Sequence, residues 1–251
     1  MVRPRMNAHT RTAHGRNFGA NADLYEAVRP GYPAEALRVV LGQEDSVRPL
    51  RVLDLGAGTG KLTRALMADP GVAEVQAVDP DASLLALNPA PRAVGTAEDI
   101  PFPADSFDLV TVAQAWHWVD EARAAEEIAR VLVPGGRLAI LVNQLDVRVD
   151  WVLRLSRIMH AGDVYRPAWR PALGPAFGSV RPHEVPFVQE VTVDDVVALA
   201  ATRSYWLRSD ERIRARVESN LRGYFAEEHV VPPGETFDLP YLSLVHTAQT
   251  V

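Results

Sequence analysis

The chain has 251 residues, of which 47% are hydrophobic and 23% charged, with a formal net charge of −6 and no cysteine. That length suits one α/β domain with insertions and a sizeable core. The acidic balance argues against a nucleic-acid partner. The missing thiols exclude disulfides, thiolate metal sites and a cysteine nucleophile, and no apolar run approaches the ~20 residues that span a membrane.

Residues 1–20 hold Arg3, Arg5, Arg11 and Arg16 with no apolar run behind them. They fit a disordered leader, or an Arg-rich transit peptide, and not a secretory signal; a cytoplasmic location is expected. Two short helices are predicted between 21 and 41, with Leu24, Tyr25 and Val28 on one face of the first and Leu37, Val40 and Leu41 on one face of the second. Arg29-Pro30-Gly31-Tyr32-Pro33 separates them. Two tyrosines and an arginine around a Pro-Gly turn make either an arm packed on the core or a lid facing a ligand.

From residue 50 strands and helices alternate. Strands are predicted at 50–55, 74–78, 93–94, 107–112 and 137–142, with helices at 61–68, from an N-cap at Asp81 through 87, and at 119–131. This rhythm implies a mostly parallel sheet with helices on both faces. After Asn143 the pattern predicts a helix at 151–160, a proline- and glycine-rich stretch at 163–186 holding Tyr165, Trp169 and Phe177, and a strand at 187–193. A helix opened by Asp194-Asp195, a second at 209–225 and a last strand near 241–246 follow. The whole chain is expected to form one domain: an arm or lid (1–45), a ligand-binding half (46–145), and sheet completion with a helical cap (146–251).

The most informative stretch is Val52-Leu53-Asp54-Leu55-Gly56-Ala57-Gly58-Thr59-Gly60. An apolar strand ends in an acid, and alternating glycines lead into a helix, which is where open α/β sheets bind nucleotide-like ligands. A phosphate-binding P-loop fails twice, because Leu62 follows Gly60-Lys61 and Leu55 takes the first glycine's place. A dinucleotide fingerprint fails at Lys61, where its third glycine is due, and Asp54 would oppose a pyrophosphate, although Asp79 lies about 20 residues on as NAD sites require. A ligand with adenine, ribose and a cationic tail fits better. Asp54 would attract an ammonium or sulfonium, the glycines would admit the tail, and Asp79 would accept from both ribose hydroxyls. S-adenosyl-L-methionine has those features.

The stretch resembles motif I of the class I S-adenosylmethionine-dependent methyltransferases, of the type 11 kind. Ala77-Val78-Asp79-Pro80-Asp81 resembles the family's motif II acid. Gly95-Thr96-Ala97-Glu98-Asp99-Ile100-Pro101-Phe102 resembles the segment that frames the adenine, and Leu132-Val133-Pro134-Gly135-Gly136-Arg137-Leu138 the turn before strand five. The likeness covers about residues 50–142. It implies an α/β, Rossmann-like fold with a seven-stranded, mostly parallel sheet whose last strand is antiparallel. It also implies S-adenosylmethionine as cofactor, held by Asp54, Gly56, Ala57, Gly58, Gly60, Asp79, Pro80, Thr96, Ala97, Glu98 and Gln114. Thr96 stands where the family usually places an acid toward the adenine amino group, so that contact falls to its hydroxyl or passes to Asp99. Tyr25, the Arg29–Pro33 turn and Gln114-Ala115-Trp116-His117-Trp118 together resemble the trans-aconitate methyltransferase-like branch, whose members methylate small molecules including carboxylic acids.

The 114–118 segment follows the C-terminal end of strand four, the edge where such sheets hold ligands. His117 is the candidate general base, with substrate orientation or packing as its other roles. Tyr25, Arg29, Tyr32, Trp116 and Trp118 are candidate substrate or lid residues, while Asp108 is expected to be structural. No HExxH pattern or tight histidine pairing suggests a metal site. Arg212, Arg214 and Arg216 point to different faces of one helix with Glu218 in reach of Arg214 and Arg222, the pattern of a solvated face. The expected reaction is methyl transfer to a small-molecule acceptor, a carboxylate or other oxygen nucleophile. An NAD(P)-dependent oxidoreductase and a non-catalytic S-adenosylmethionine-binding protein are the alternatives.

Overall fold

A computed structural model of the chain describes residues 22–42, 48–161, 165 and 168–251. The arginine-bearing leader lies outside them, as do residues 162–164, 166 and 167 of the proline- and glycine-rich stretch. Seven strands form one sheet: β1 (Leu50–Leu55), β2 (Val72–Asp79), β3 (Arg92–Val94), β4 (Phe107–Ala113), β5 (Leu132–Leu145), β6 (Arg181–Val191) and β7 (Phe237–Gln249). Their spatial order is β3-β2-β1-β4-β5-β7-β6. The pairs from β3 through β5 are parallel, and β7 runs antiparallel to both of its neighbours. This is the Rossmann-like arrangement that the resemblance to the class I methyltransferases implies.

Alternation along the strands builds the core. Leu53 and Leu55 of β1, Val110 and Val112 of β4, and Leu138 and Ile140 of β5 face one side of the sheet. There they meet Ala124, Ala125, Ile128 and Val131 of α5 (Glu121–Val131). The intervening Val52, Leu109, Ala139 and Leu141 face the other side, against α2 (Ala34–Leu41) and α3 (Lys61–Met67). Strands buried on both faces read as near-continuous apolar runs, which is why the first half was legible. The short α4 (Ala82–Leu85) is capped by the Asp81 carboxylate, which accepts from Ser83 N and Leu84 N.

The second half departs from the expected boundaries. β6 spans Arg181–Val191 and not 187–193; it holds Pro182 and Pro186, which an edge strand tolerates because one side needs no ladder. Val193 instead opens α7 (Val193–Ala201), whose N-cap is Thr192 with Asp195 completing a capping box. β7 runs well past 241–246 at both ends, and its Pro240 lies beyond the pairing of Tyr241 with Leu145, where β5 has ended. The helix expected at 209–225 is α9 (Glu211–Glu227), capped by Asp210 through Ile213 N, and a short α8 (Ser204–Arg208) that was not expected precedes it. β5 starts at Leu132, before the Pro-Gly-Gly turn, because a register shift after Phe107 lets Leu132 pair across it. A second apolar cluster forms the cap: α1 (Ala22–Val28) contributes Val28, α6 (Asp150–Ile158) contributes Val152 and Leu155, α7 and α9 supply Leu199 and Leu221, and all close over Leu145 and Tyr241.

Candidate functional site

A cavity of about 510 Å³ opens at the C-terminal ends of β1, β2 and β4 and runs outward beneath α1 and the cap. The glycine loop forms its inner end. Gly56 (φ 71°) leaves β1 with its N–H on Val78 O, and a Cβ there would sit 2.6 Å from the Ala115 Cβ. Gly60 (φ 92°) turns the chain into α3, where a Cβ would strike Pro89 at 2.8 Å. Both positions therefore require glycine on two grounds, backbone hand and space. Gly58 gives its N–H to Asp79 Oδ2 at 2.9 Å, and Asp79 Oδ1 accepts from Asp81 N at 2.8 Å. Burial raises the Asp79 carboxyl against those two hydrogen bonds. Each oxygen keeps a second lone pair. That pair of acceptors fits two vicinal hydroxyls of a ribose.

Asp54 is placed differently from a bare counter-ion. It is 1% exposed, and its side chain points toward α3, where Thr63 Oγ1 donates to Oδ2 at 2.6 Å; Thr111 Oγ1 of β4 donates to Oδ1 at 3.0 Å. Asn88 Nδ2 reaches both Thr63 Oγ1 and Gly58 O, which ties this network to the loop. Burial pushes the Asp54 carboxyl up to about 6, with the two threonine hydroxyls opposing the rise. It borders the cavity as an acid half-held by hydroxyls.

Ala57, Pro80, Thr96, Ala97 and Glu98 also line this end. Glu98 Oε1 accepts from Asp120 N at 2.7 Å, fixing the segment against the start of α5. Arg130 grips Ile100 O and Phe102 O from behind and pairs with Glu127, which bonds Ile100 N. Asp99 is exposed and outside the cavity wall, so of the two candidates only Thr96 faces the ligand space.

Gln114, at φ 58°, ends β4 and donates from Nε2 to Asn143 O, locking the β4 and β5 ends together. The 3₁₀ turn Trp116–Trp118 follows. His117 and Trp118 line the cavity with their rings 4.6 Å apart. Trp116 does not. It is 1% exposed and packs in the core with Phe107 and Ile128, so the expected substrate role is corrected to packing.

The outer end is covered by the arm. Tyr25, Arg29 and Tyr32 all line the cavity, and burial raises the Tyr32 phenol well above its usual range. Arg29 lies over the Tyr25 ring at 5.2 Å and donates to Thr202 Oγ1 and Thr202 O. The arm is strapped to the glycine loop itself. Thr59 Oγ1 donates to Glu26 Oε2, Arg64 pairs with Glu26, and Lys61 Nζ donates to Glu26 O and Arg29 O at 2.7 and 2.9 Å. Thr59 and Lys61 were not among the expected site residues, nor were Asn143, Thr202, Arg203 and Tyr241, which complete the outer wall. Polar Asn143-Gln144 at the end of an apolar strand was a readable signal; Tyr241 inside another apolar strand was not. Asp108 is structural as expected, held by Arg48 and Arg51. Arg222, not Arg214, pairs with Glu218; Arg214 bonds Trp206 O and Leu207 O.

Residues 53–140 match the model of the methyltransferase domain family. An uncharacterized methyltransferase of Mycobacterium tuberculosis is 40% identical over 234 residues, covering 91% of this chain and 93% of that protein. The chain belongs to the methyltransferase family. A malonyl-[acyl-carrier protein] O-methyltransferase of Methylococcus capsulatus is 40% identical over 141 residues, 50% of this chain and 49% of that protein. The YcgJ protein of Bacillus subtilis shares the fold at a TM-score of 0.53 and 20% identity, over 87% of this chain and 99% of that one. Membership in this family sets aside the oxidoreductase reading of the glycine loop. No helix among the described residues of this methyltransferase is long and apolar enough to cross a membrane.

Proposed function

We propose that this methyltransferase uses S-adenosylmethionine and transfers its methyl group to a small-molecule oxygen nucleophile, a carboxylate in the first instance. One observation carries the reading: the division of charge along the cavity. The four carboxylates in its wall, Asp54, Asp79, Glu98 and Asp120, lie at the glycine loop and the neighbouring 95–98 and 120 segments, where they outnumber the two cations of that end, Lys61 and Arg123. The outer end holds Arg29 and Arg203 and, among the described residues, no carboxylate. A cationic cofactor is favoured at one end and an anionic acceptor at the other.

The cofactor, when bound, supplies a sulfonium methyl whose C–S bond breaks with its electron pair left on sulfur, as an acceptor lone pair makes the new bond to carbon. The chain's own part is placement. Asp79 would hold the ribose, the 95–98 segment the adenine, and the loop glycines leave room for the tail beside ionised Asp54. Arg29 and Tyr32 exclude water from above, so an acceptor oxygen is held dry and close. A carboxylate needs no base, so His117 then orients the acceptor; a phenol or amine would need it to take a proton. The malonyl-[acyl-carrier protein] O-methyltransferase relative is in keeping with an oxygen acceptor. A screen with methyl-labelled S-adenosylmethionine against small carboxylic acids, phenols and amines tests the proposal. Labelled ester from the acids is expected. Transfer to amines alone would overturn the acceptor class, and no calorimetric binding of S-adenosylhomocysteine would overturn the cofactor.

A further inference from the structure

The outer end of the cavity contains polar groups that the fold buries and leaves unsatisfied. Tyr241 is 2% exposed and lines the wall, yet its hydroxyl has no hydrogen-bond partner. The position has no packing need for that oxygen. The ring stacks on Phe187 at 5.3 Å and belongs to the apolar cap cluster, where phenylalanine would serve as well. A buried hydroxyl without a partner is costly to the fold, so its presence in the cavity wall points to a group that arrives with a ligand. Arg29 lines the same end. Two of its N–H groups go to Thr202, and no carboxylate pairs with it among the described residues. Arg203 and Arg29 both pull the Tyr241 phenol down against the rise that burial imposes. Their positive field therefore reaches that hydroxyl.

Asn143 adds the opposite polarity. Its Nδ2 donates to Gly31 O at 2.9 Å, which fixes the amide orientation because the other nitrogen–oxygen assignment would set two oxygens face to face. Oδ1 is then the free end, buried in the cavity wall with no partner. It can only accept.

We infer that Tyr241, Arg29 and Asn143 form the acceptor-selecting end of the cavity, taking a carboxylate on a molecule that also carries a hydroxyl or amide N–H. Tyr241 O–H and Arg29 donate to the carboxylate, and Asn143 Oδ1 accepts from the neighbouring donor. The inference rests on the cofactor occupying the glycine-loop end, which leaves this end for the acceptor. It goes beyond that reading by assigning recognition to two residues on β5 and β7, outside the glycine loop and the arm.

The test uses the full chain saturated with S-adenosylhomocysteine and four small probes: acetate, glycolate, acetamide and glycolamide. Such probes enter whatever the size of the natural acceptor. Binding is read from the side-chain Nε–H resonance of Arg29. Acetate is expected to shift that resonance saturably and acetamide to leave it in place, with glycolate tighter than acetate through Asn143. Tyr241→Phe, which keeps the ring, is expected to weaken acetate about tenfold, the usual scale for a hydrogen bond to a charged group. Its affinity for S-adenosylhomocysteine should stay that of the wild type. An Arg29 resonance unmoved by either acid, an equal response to acetamide, or unchanged acetate affinity in Tyr241→Phe would each overturn the inference. Failure of S-adenosylhomocysteine to bind is read separately, by calorimetry, and counts against the cofactor and not against this end of the cavity.

Discussion

At the scale of single residues, Asp79 and Asp54 show what a motif can and cannot convey. Both are acids at strand ends beside the glycine loop, and their spacing along the chain marked both. Asp79 has the arrangement such a motif implies, with one backbone N–H on each oxygen and a lone pair spare on each. Asp79→Ala is expected to abolish measurable S-adenosylmethionine binding by calorimetry; an unchanged affinity would remove the ribose assignment. Asp54 is held by Thr63 and Thr111, one from the following helix and one from the neighbouring strand. Neither threonine could be tied to it from sequence, because the contact depends on the register Asp54–Thr111 between β1 and β4. His117 was visible through its position after β4, and it does line the cavity. His117→Ala is expected to lower turnover more than cofactor affinity. Turnover equal to the wild type, measured on the acid that the labelled screen returns, would take it out of the mechanism.

At the scale of elements, the arm is the part whose attachment the sequence concealed. Its helix-breaking Arg29–Pro33 turn was plain, but what it fastens to was not, since the partners lie more than thirty residues on. Lys61 is the centre of that attachment. Its ammonium caps the last-turn carbonyls of α1, where a cation is favoured by the helix dipole as well as by the hydrogen bonds. Burial lowers its pKa, with Glu26 opposing the change. α1 has little apolar anchorage beyond Val28 and Leu24, so polar contacts decide whether it stays down. Lys61→Met is expected to speed deuterium uptake across 22–33 while moving global stability by no more than about 1 kcal/mol, as for other partly exposed ion pairs. Uptake identical to the wild type would show that the strap is not what holds the arm. The prolines of β6 and β7 hid the beginnings of those strands for a different reason. Proline argues against a strand only where both neighbours need its N–H, and a sequence does not show which strand will lie at the edge.

At the scale of the whole molecule, two buried groups on different strands oppose one another in their dependence on pH. Asp54 carries a folded-state pKa of about 6, raised by burial from an ordinary 3.8. Between those values the folded chain binds more protons than the unfolded one, so Asp54 makes the protein less stable as pH rises, fully so above about 6. His246 is 4% exposed and is pushed down from 6.5 to about 4, first by burial and then by Arg170. Here the unfolded chain binds more protons, so stability is lost as pH falls from 6.5 toward 4. Each shift corresponds to roughly 3 kcal/mol, and over the shared range the two effects nearly cancel. Single substitutions should uncover them. Asp54→Asn is expected to gain stability relative to the wild type as pH is raised from 4 to 7, and His246→Gln to gain it as pH is lowered from 7 to 4. Urea unfolding at unit pH steps measures both differences, and a difference that stays flat with pH would show that the group does not titrate as its burial implies. The same ionisation would link the fold to the proposed cofactor. Above about pH 6 the fold bears the cost of a charged, buried Asp54, and a sulfonium bound beside it, as proposed, would offset that cost. The thermal stabilisation given by S-adenosylmethionine should therefore grow as pH rises through 6 in the wild type and stay level in Asp54→Asn.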